Sequence, residues 1–563
     1  MGVYLVAQQQ INVNIPSVGS SGLNTEDSPI TQDYSYAAVA DNAVIDNFGR
    51  IGAREAFATD TLTFPVLPAI ATAVTHEVTL DVIEGSLINE LPSILCTGRN
   101  IGYDADGNVV GTNYYIFERV GSALVEITLP AVTDLSKLSL AQIVPTDDRY
   151  YIFSPTNEVM VWNGTTITLI SAAIGYYGIQ LVPSGAQVAP TFDRGIAAYG
   201  RVWATGHGGD SNTIYYSDLL IGASAYTVDG LDPASTAGKL NVLENWPNGK
   251  DTIVGLSAHN NRLIVFGREA ILVYNAGYGD PADAASGFTL EDTITNVGCV
   301  SKYSLVNIGT DVLFVDETGV RSLGRTIQER SSPMGNLTNK VRKQFSDVVS
   351  ETEDSQTIRM EYDPSNNFAV VLFSEQELAY CLDMKAYRAE GLAKITRWTD
   401  CFFNDLTYVD SYLNPVMLLA GMKGKGVLGY SGYLSSSGNT YILKYYSNQL
   451  TFGEPARTKF IKQIDYTIIS SITPSFAYAK WGYDGLNTYK SKYLILESTV
   501  PAYFGIAKFN IGIFGTTPTT IKRYRVNTGG AGESVKIGIE VTIDGNGCSL
   551  QEINVQTLIG RIN

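Results

Sequence analysis

The sequence predicts an all-β chain, and three observations carry that expectation. Glycine (54), tyrosine (34) and phenylalanine (20) are plentiful while methionine (7) and histidine (3) are scarce, a balance of aromatics and turn-formers over strong helix-formers. Hydrophobic residues make up 45% and charged residues 17%, which excludes a disordered chain and a coiled coil, both of which need far more charge. A strand–turn–strand pattern then recurs through the middle of the chain. At 563 residues the length alone suggests three or four domains of ordinary size, or one large all-β unit with attachments.

Taken in order, the first segment is Ile11-Asn-Val-Asn-Ile15, which alternates like a short strand and leads into a Gly/Ser-rich stretch from Ser17 to Pro29. Asn42 to Phe57 reads as a hairpin that turns at Asp46-Asn-Phe-Gly49 and returns through a strand carrying Arg50 and Arg54. The repeating pattern follows, between about residues 91 and 432. Its instances are Tyr114–Phe117 with Ala123–Ile127, Tyr150–Phe153 with Val159–Trp162, Arg201–Ala204 with Thr213–Tyr216, and Arg262–Phe266 with Ala270–Tyr274. Val312–Val315 with Gly319–Leu323, Phe368–Phe373 with Leu378–Leu382, and Val416–Ala420 with Gly426–Tyr430 complete the set. The linking turns carry turn-forming residues: Pro155-Thr-Asn157, His259-Asn-Asn261, Asp316-Glu-Thr-Gly319 and Asp363-Pro-Ser-Asn-Asn367. Repetition at this spacing is the signature of a β-propeller of six or seven blades, the paired strands forming the middle of each blade. A string of hairpins in separate sandwiches is the alternative. Ser332 to Val349 breaks the rhythm, with Leu337, Val341, Phe345 and Val348 at helical spacing. Asn336 reads as its N-cap, and Lys340, Arg342 and Lys343 lie on its polar side. After residue 440, Lys459–Ile469 and Ser534–Ile543 alternate over a longer span, as antiparallel strands with one wet face do. The expected organisation is residues 1–60 as an N-terminal docking segment and hairpin, 61–435 as a propeller with a helical insertion at 332–349, and 436–563 as a β-sandwich or barrel-like module.

The formal charge is −17 with a pI near 4.7, a poor match to a protein that grips phosphates through counterion release. Cys96, Cys299, Cys381, Cys401 and Cys548 are scattered without any CxxC, as expected of buried thiols from a reducing compartment. The N-terminus has no basic region followed by an apolar core, and no run reaches the ~18 apolar residues a membrane helix needs. The expectation is a soluble protein made in the cytoplasm.

No motif builds an active site. Gly424-Lys-Gly-Val-Leu-Gly429 spells GxGxxG but joins two strands where a phosphate cradle must open a helix. Asp104-Ala-Asp-Gly-Asn108 begins like a calcium loop, yet Val109 and Tyr115 stand where that loop needs Gly and Glu. Asp544-Gly-Asn-Gly547 reads as a turn in the same way. His76, His207 and His259 are isolated, and the acid groups Asp147-Asp148 and Glu351/Glu353/Asp354 read as solvated loops. Asn163-Gly-Thr165 reads as a tight turn, and Lys522-Arg-Tyr-Arg525 as an exposed strand facing an acidic neighbour. No catalytic, cofactor-binding or metal-binding residue is assigned, and the chain is not expected to be an enzyme.

Several motifs in order resemble a known family. Gly22-Leu-Asn-Thr-Glu-Asp-Ser-Pro29, then Ala43–Asn47 and Gly49-Arg-Ile-Gly-Ala-Arg54, look like the N-terminal signature of tail-hub proteins of short-tailed bacteriophages. These are also called nozzle proteins, tail tubular protein B or packaged-DNA stabilisation proteins. Thr295-Asn-Val-Gly-Cys299, Ile308–Val320 and the expected helix at Asn336–Phe345 are similar to their mid-chain propeller region. Phe452-Gly-Glu-Pro with Lys459 and the closing Leu558–Arg561 are similar to their C-terminal part. The resemblance implies a structural virion protein built around a propeller, six copies of which form a ring below the portal and its adaptor. That ring would continue the DNA channel, retain the packaged genome and carry fibres or tailspikes, in a particle assembled in the host cytoplasm. Double-stranded DNA would pass through the lumen without sequence-specific binding, with no stable insertion in a membrane. Six copies carry six times −17, about −102 formal charges, and an acidic lumen would let DNA slide. The competing expectation is a free-standing propeller adhesin that binds or cleaves glycans.

Overall fold

The structure is a computed structural model of the 563-residue chain. It describes residues 9–88, 91–130, 134–146, 148–170, 179–180, 187–188, 191–217, 238–247, 249–276, 289–329, 336–385, 387, 393–409, 417–422, 426–433, 440–470, 475–485, 488–496, 520–545 and 547–562.

Among the described residues, seven sheets follow one another as the blades of a β-propeller. Blade 1 comprises Thr75–Ile88, Leu91–Tyr103, Val109–Val120 and Ala123–Ile127, and blade 2 Gln142–Pro145, Tyr150–Phe153, Met160–Trp162 and Ile167–Leu169. Blade 3 is Arg194–Ala198, Arg201–Thr205, Thr213–Tyr216 and Gly238–Asn241, and blade 4 Gly255–His259, Arg262–Phe266, Ala270–Asn275 and Leu290–Thr295. Blade 5 has three strands, Leu305–Asn307, Val312–Asp316 and Gly319–Ser322, while blade 6 has Ile358–Asp363, Phe368–Phe373, Leu378–Asp383 and Lys394–Thr399. Blade 7 takes Phe403–Val409, Met417–Met422 and Gly426–Tyr430 from late in the propeller and its outermost strand, Phe57–Leu62, from near the N-terminus. That exchange closes the ring non-covalently, and the innermost strand of each blade touches that of the next all the way round.

Period-two packing explains why these strands read as continuous apolar runs. In blade 2, Tyr150 and Ile152 face blade 1 beside Leu95 and Ile116. Tyr151 and Phe153 face blade 3 beside Val202, Ala204 and Tyr215. An apolar core fills every gap: Trp203 and Leu263 between blades 3 and 4, and Phe266 and Phe314 between 4 and 5. Val371 and Leu313 pack between 5 and 6, Leu372 and Leu406 between 6 and 7, and Val409 and Leu80 between 7 and 1. Seven cores between seven sheets set the blade count, because both faces of every blade are buried. Five of the seven strand pairs read from the sequence are the middle strands of their blades, and in three-stranded blade 5 the pair is the middle and outermost strand. The remaining pair, Tyr114–Phe117 with Ala123–Ile127, is the outer pair of blade 1. The first two strands of that blade are long and interrupted by Glu77, Asp81, Glu84 and Arg99, so they lack the apolar rhythm. Val416 lies outside the described residues.

A second unit is built from two packed sheets. One contains Arg457–Ser470, Thr520–Asn527 and Cys548–Ile562, with Gln9–Ile15, Ala43–Ile45 and Ile51–Ala53 from the N-terminal segment. The other contains Tyr441–Ser447, Val535–Ile543, Ser475–Tyr483 and Lys490–Leu496. Ala37–Asp41 pairs with both Lys394–Thr399 and Tyr441–Ser447, which makes this second sheet continuous with blade 6 as a nine-stranded sheet. Ile464, Tyr466, Ile553 and Val555 of the first sheet pack on Leu443, Tyr445, Ile537 and Val541 of the second, and Tyr466 donates to the Gly538 carbonyl across the gap at 3.0 Å.

The helical insertion is shorter and later than its spacing implies. The α-helix is Arg342–Glu351, preceded by a 3-10 turn at Asn339–Val341, and Ser332 to Gly335 lie outside the described residues. Asn336 is not its N-cap: its amide donates to the Thr318 carbonyl and its oxygen accepts from Thr338, so it ties the segment to blade 5. Leu337, Val341 and Phe345 are buried. A second helix, Leu323–Glu329, follows blade 5 directly.

Candidate functional site

The propeller axis is filled by side chains from the inner ends of the blades. Arg359 on the innermost strand of blade 6 pairs with Asp405 of blade 7 at 2.9 Å, and its guanidinium lies 4.1 Å from the ring centre of Tyr303, which enters blade 5. Asp405 also accepts from the Ile83 amide of blade 1 at 2.9 Å. Lys302 is buried and donates to the carbonyls of Leu140 (3.0 Å) and Asp193 (2.8 Å), at the entries to blades 2 and 3. Tyr303 donates to Leu140 and Ala141, and Arg194 of blade 3 donates to Ile253 and Val254 before blade 4. Asn307 of blade 5 donates to Ala258 of blade 4. All seven blades are thus tied together by polar spokes near the axis, which satisfy backbone groups that the sheet ladders leave open.

Burial dominates the electrostatics here. It pushes the Glu361 carboxyl up to about 8, aided by Asp405 and Asp363. Glu84 rises well above the usual carboxylate range for the same reason, with Glu361 and Asp405 adding repulsion, and Asp405 is raised despite Arg359. Lys302 is driven down to about 7 by burial. A carboxyl whose folded value is raised contributes stability that is fully present below its ordinary value and lost as pH rises through the folded value. Glu361→Gln is therefore expected to match the parent near pH 4 and exceed it by about 4 kcal/mol at pH 8.5. Urea midpoints of the two proteins across that range check this, and parallel curves would mean that Glu361 is ionised and solvated in the fold.

On one side of the spokes lies a cavity of about 210 Å³ lined by Asp81, Arg99, Asp354, Gln356, Arg359 and Asn404, among others. Asp81 Oδ1 accepts from Arg99 Nε at 2.9 Å, and burial raises its carboxyl to about 6 against the pull of Arg99. Asp81 Oδ2 and Arg359 Nε have no hydrogen-bond partner among the described residues. A group that donates to one and accepts from the other, such as a water or a hydroxyl, satisfies both. A larger cavity of about 300 Å³, lined by Gln449, Asp484, Glu533 and Ser534 among others, opens beside the two packed sheets.

The motifs that carry the family resemblance are structural joints. Asn24 accepts from the amides of Glu26 and Asp27, Asp27 pairs with Lys340 at 2.7 Å, and Glu26 accepts from the Lys343 amide at 2.5 Å. Gly22 has φ +78° and a Cβ there would stand 2.6 Å from the Ile395 nitrogen, so the N-terminal strap, Ser17 to Pro29, lies directly on blade 6 at this point. Arg54 is buried between Tyr441 (4.6 Å) and Trp398 (5.6 Å) and donates to Asn42. A Cβ on Gly298 would meet the Arg268 carbonyl oxygen at 2.0 Å. Lys459, fully buried, donates to the carbonyls of Glu454 and Glu533, which ties it to the turn Phe452-Gly-Glu-Pro455.

The remaining motif residues stay apart. His207 packs on Phe192 and Tyr215 with its imidazole pushed down by burial, while His76 is exposed and His259 half-buried. All five cysteines are buried and free, and burial lifts Cys299 to about 11 and Cys401 and Cys548 to about 12. Asp104 accepts from the amides of Asp106 and Asn108, and Asn163 from those of Thr165 and Thr166. Asp148 pairs with Arg149, and Asp147, Gly424, Lys425 and Asn546 lie outside the described residues. Gly426–Tyr430 is a strand that opens no helix. Arg523 and Arg525 pair with Glu552 (3.0 Å) and Asp465 (3.2 Å) of neighbouring strands. Among the described residues no group of three or more His, Cys, Asp or Glu side chains is placed to hold a metal ion, and no helix is long and apolar enough to cross a membrane.

No protein-family model matches the chain, and no curated protein matches it. The solved structures similar to it include YCF48 bound to D1 peptide, at 11% identity over 67% of this chain and 97% of that one, with a TM-score of 0.33. The WD40 domain of Neurospora crassa Pan2 is 10% identical over 63% of this chain and 90% of that one, with a TM-score of 0.31. PorZ, a surface component of the type-IX secretion system of Porphyromonas gingivalis, is 12% identical with a TM-score of 0.29, and the match spans 62% of this chain and 37% of PorZ. The chain is an all-β protein built on a β-propeller.

Proposed function

We propose that the chain is a non-catalytic structural subunit of a short bacteriophage tail. Six copies form a ring below the portal and adaptor that continues the DNA channel, retains packaged DNA and anchors fibres or tailspikes. The observation that carries this reading is where the family-like motifs fall. Gly22–Pro29, Arg54, Gly298, Asn336 and Lys459 line no common pocket; they lock the N-terminal strap, the helix Arg342–Glu351, the propeller and the packed sheets to one another. Motifs spent on rigid joints suit a load-bearing conduit better than an enzyme. The propeller axis is crossed by Arg359, Tyr303 and Lys302, so in this reading DNA runs through the lumen of the ring and not through any one propeller. A net charge of −17 per copy favours a wall that DNA slides past.

The test is the mass of the purified chain by mass photometry, alone and with its neighbouring tail components. Particles near six times 60.9 kDa, free or on an adaptor ring, support the proposal. A monomer that ignores the adaptor overturns it. The second reading, a glycan-binding or glycan-cleaving adhesin, draws on the cavity at Asp81 and Arg359, whose unmatched acceptor and donor suit a sugar hydroxyl. A glycan array with the full chain tests it.

A further inference from the structure

The second packed sheet turns an aromatic face to solvent at its free end. Ile442, Phe476, Tyr478, Tyr493 and Ile495 are between 40% and 54% exposed. Strand register sets them side by side: Phe476 is directly opposite Ile495 and Tyr478 opposite Tyr493, while Ile442 and Phe476 flank Thr542 from either side. Their rings touch, with Phe476 and Tyr493 stacked at 5.8 Å and Tyr478 edge-on to Tyr493 at 5.4 Å. Polar outward positions alternate with apolar ones on a sheet face that only meets water, and a contiguous apolar patch rimmed by polar groups marks a contact surface. The rim here is basic: Lys444, Lys480 and Lys536 occupy the same face with Glu540, which is engaged by Lys480 at 3.0 Å and by the Tyr446 hydroxyl. This is a positive face on a chain of net charge −17.

The same nine-stranded sheet carries the complementary surface. Glu375 and Glu377 sit on the turn between Phe368–Phe373 and Leu378–Asp383, and Asp347, Glu351, Glu353 and Asp354 at the end of the helix beside it, all exposed. Glu375 accepts from the amides of Glu353 and Asp354, which gathers the carboxylates into one cluster. Six strand steps separate Leu378–Asp383 from Lys490–Leu496 along the sheet, roughly 29 Å at about 4.8 Å per step. The two surfaces lie apart within one chain and can meet only between copies.

We infer that the face of Phe476, Tyr478, Tyr493 and Ile495 docks on the carboxylate cluster around Glu351 and Glu375 of a second copy of this chain. The inference rests on the ring reading above. A contact between two different surfaces is head-to-tail, and repeated with a closing rotation it makes a ring. The aromatics supply the buried anchor, and the lysines and carboxylates set partner and register.

Charge exchange in the full-length chain tests this, read by mass photometry under the conditions in which the parent assembles. Lys444→Glu/Lys480→Glu and Glu351→Lys/Glu375→Lys are each expected to weaken assembly at least tenfold and leave particles of one chain mass, and the four changes together to restore the ring. Phe476→Asp/Tyr493→Asp is expected to give single chains that no charge change rescues. Circular dichroism and melting curves like the parent's separate lost docking from lost folding; a variant that does not fold leaves the decision to the others, all at exposed or half-exposed positions. A parent that forms rings while all variants do so equally overturns this interface and leaves the ring reading standing. Failure of the fourfold variant to reassemble overturns the pairing of the two surfaces. A parent that never assembles overturns the ring reading itself.

Discussion

Arg359→Ala is expected to lower the stability of the propeller by about 3–5 kcal/mol, the cost of leaving a buried charge without its partner. Asp405 would keep its contact with the Ile83 amide but lose the guanidinium at 2.9 Å, on an axis where Asp405 already helps to raise the Glu84 and Glu361 carboxyls. Tyr303 would lose the cation stacked on its ring at 4.1 Å. The decisive companion is Arg359→Ala/Asp405→Asn, which removes both charges and is expected to recover about half of the loss. Denaturant midpoints of the parent, both single variants and the double variant give the coupling energy. A loss below ~1 kcal/mol for Arg359→Ala, with no coupling to Asp405, would mean that the pair is screened like a surface salt bridge and that the axis is open to water.

Trp398→Ala is expected to cost about 3–5 kcal/mol, since the side chain is fully buried and its loss leaves a cavity that three elements surround. Its ring stacks on Tyr430 of blade 7 at 5.5 Å, meets Phe368 of blade 6 edge-on at 5.8 Å, and lies under the Arg54 guanidinium. Its Nε1 donates to the Ala43 carbonyl at 3.0 Å, which joins blade 6 to the N-terminal hairpin. Trp398→Phe is expected to cost far less, roughly 1 kcal/mol beyond repacking, because Thr396 also donates to the Ala43 carbonyl at 2.7 Å. Thermal unfolding of the two variants separates packing from hydrogen bonding. Equal losses would place the weight on the hydrogen bond and count against the cavity argument.

Much of the propeller was legible before any coordinates. Strands such as Tyr150–Phe153 and Phe368–Phe373 are buried on both faces, so every position is apolar and the turns between them stand out. In blade 1 the apolar rhythm points one strand too far out, because Asp81, Glu84 and Arg99 interrupt its inner strands. Those interruptions belong to the axis, and charged residues inside otherwise apolar strands, as at Arg359, Glu361 and Asp405, were the available signal for the candidate site. The helix was misplaced because Leu337, Val341 and Phe345 are all buried, and burial alone does not distinguish a helix from the irregular segment that Asn336 bonds to Thr318.

By itself the sequence determined the β class and the repeating hairpins, because both are carried by residues a few positions apart. Only the tertiary structure decided that the described residues form seven propeller sheets, that Phe57–Leu62 closes the last of them, and that Ala37–Asp41 welds blade 6 to the C-terminal sheets. It alone joined Arg359 to Asp405 and Lys302 to Leu140. These pairings link residues tens to hundreds of positions apart, where local periodicity carries no information and partners are chosen by which surfaces can be buried together.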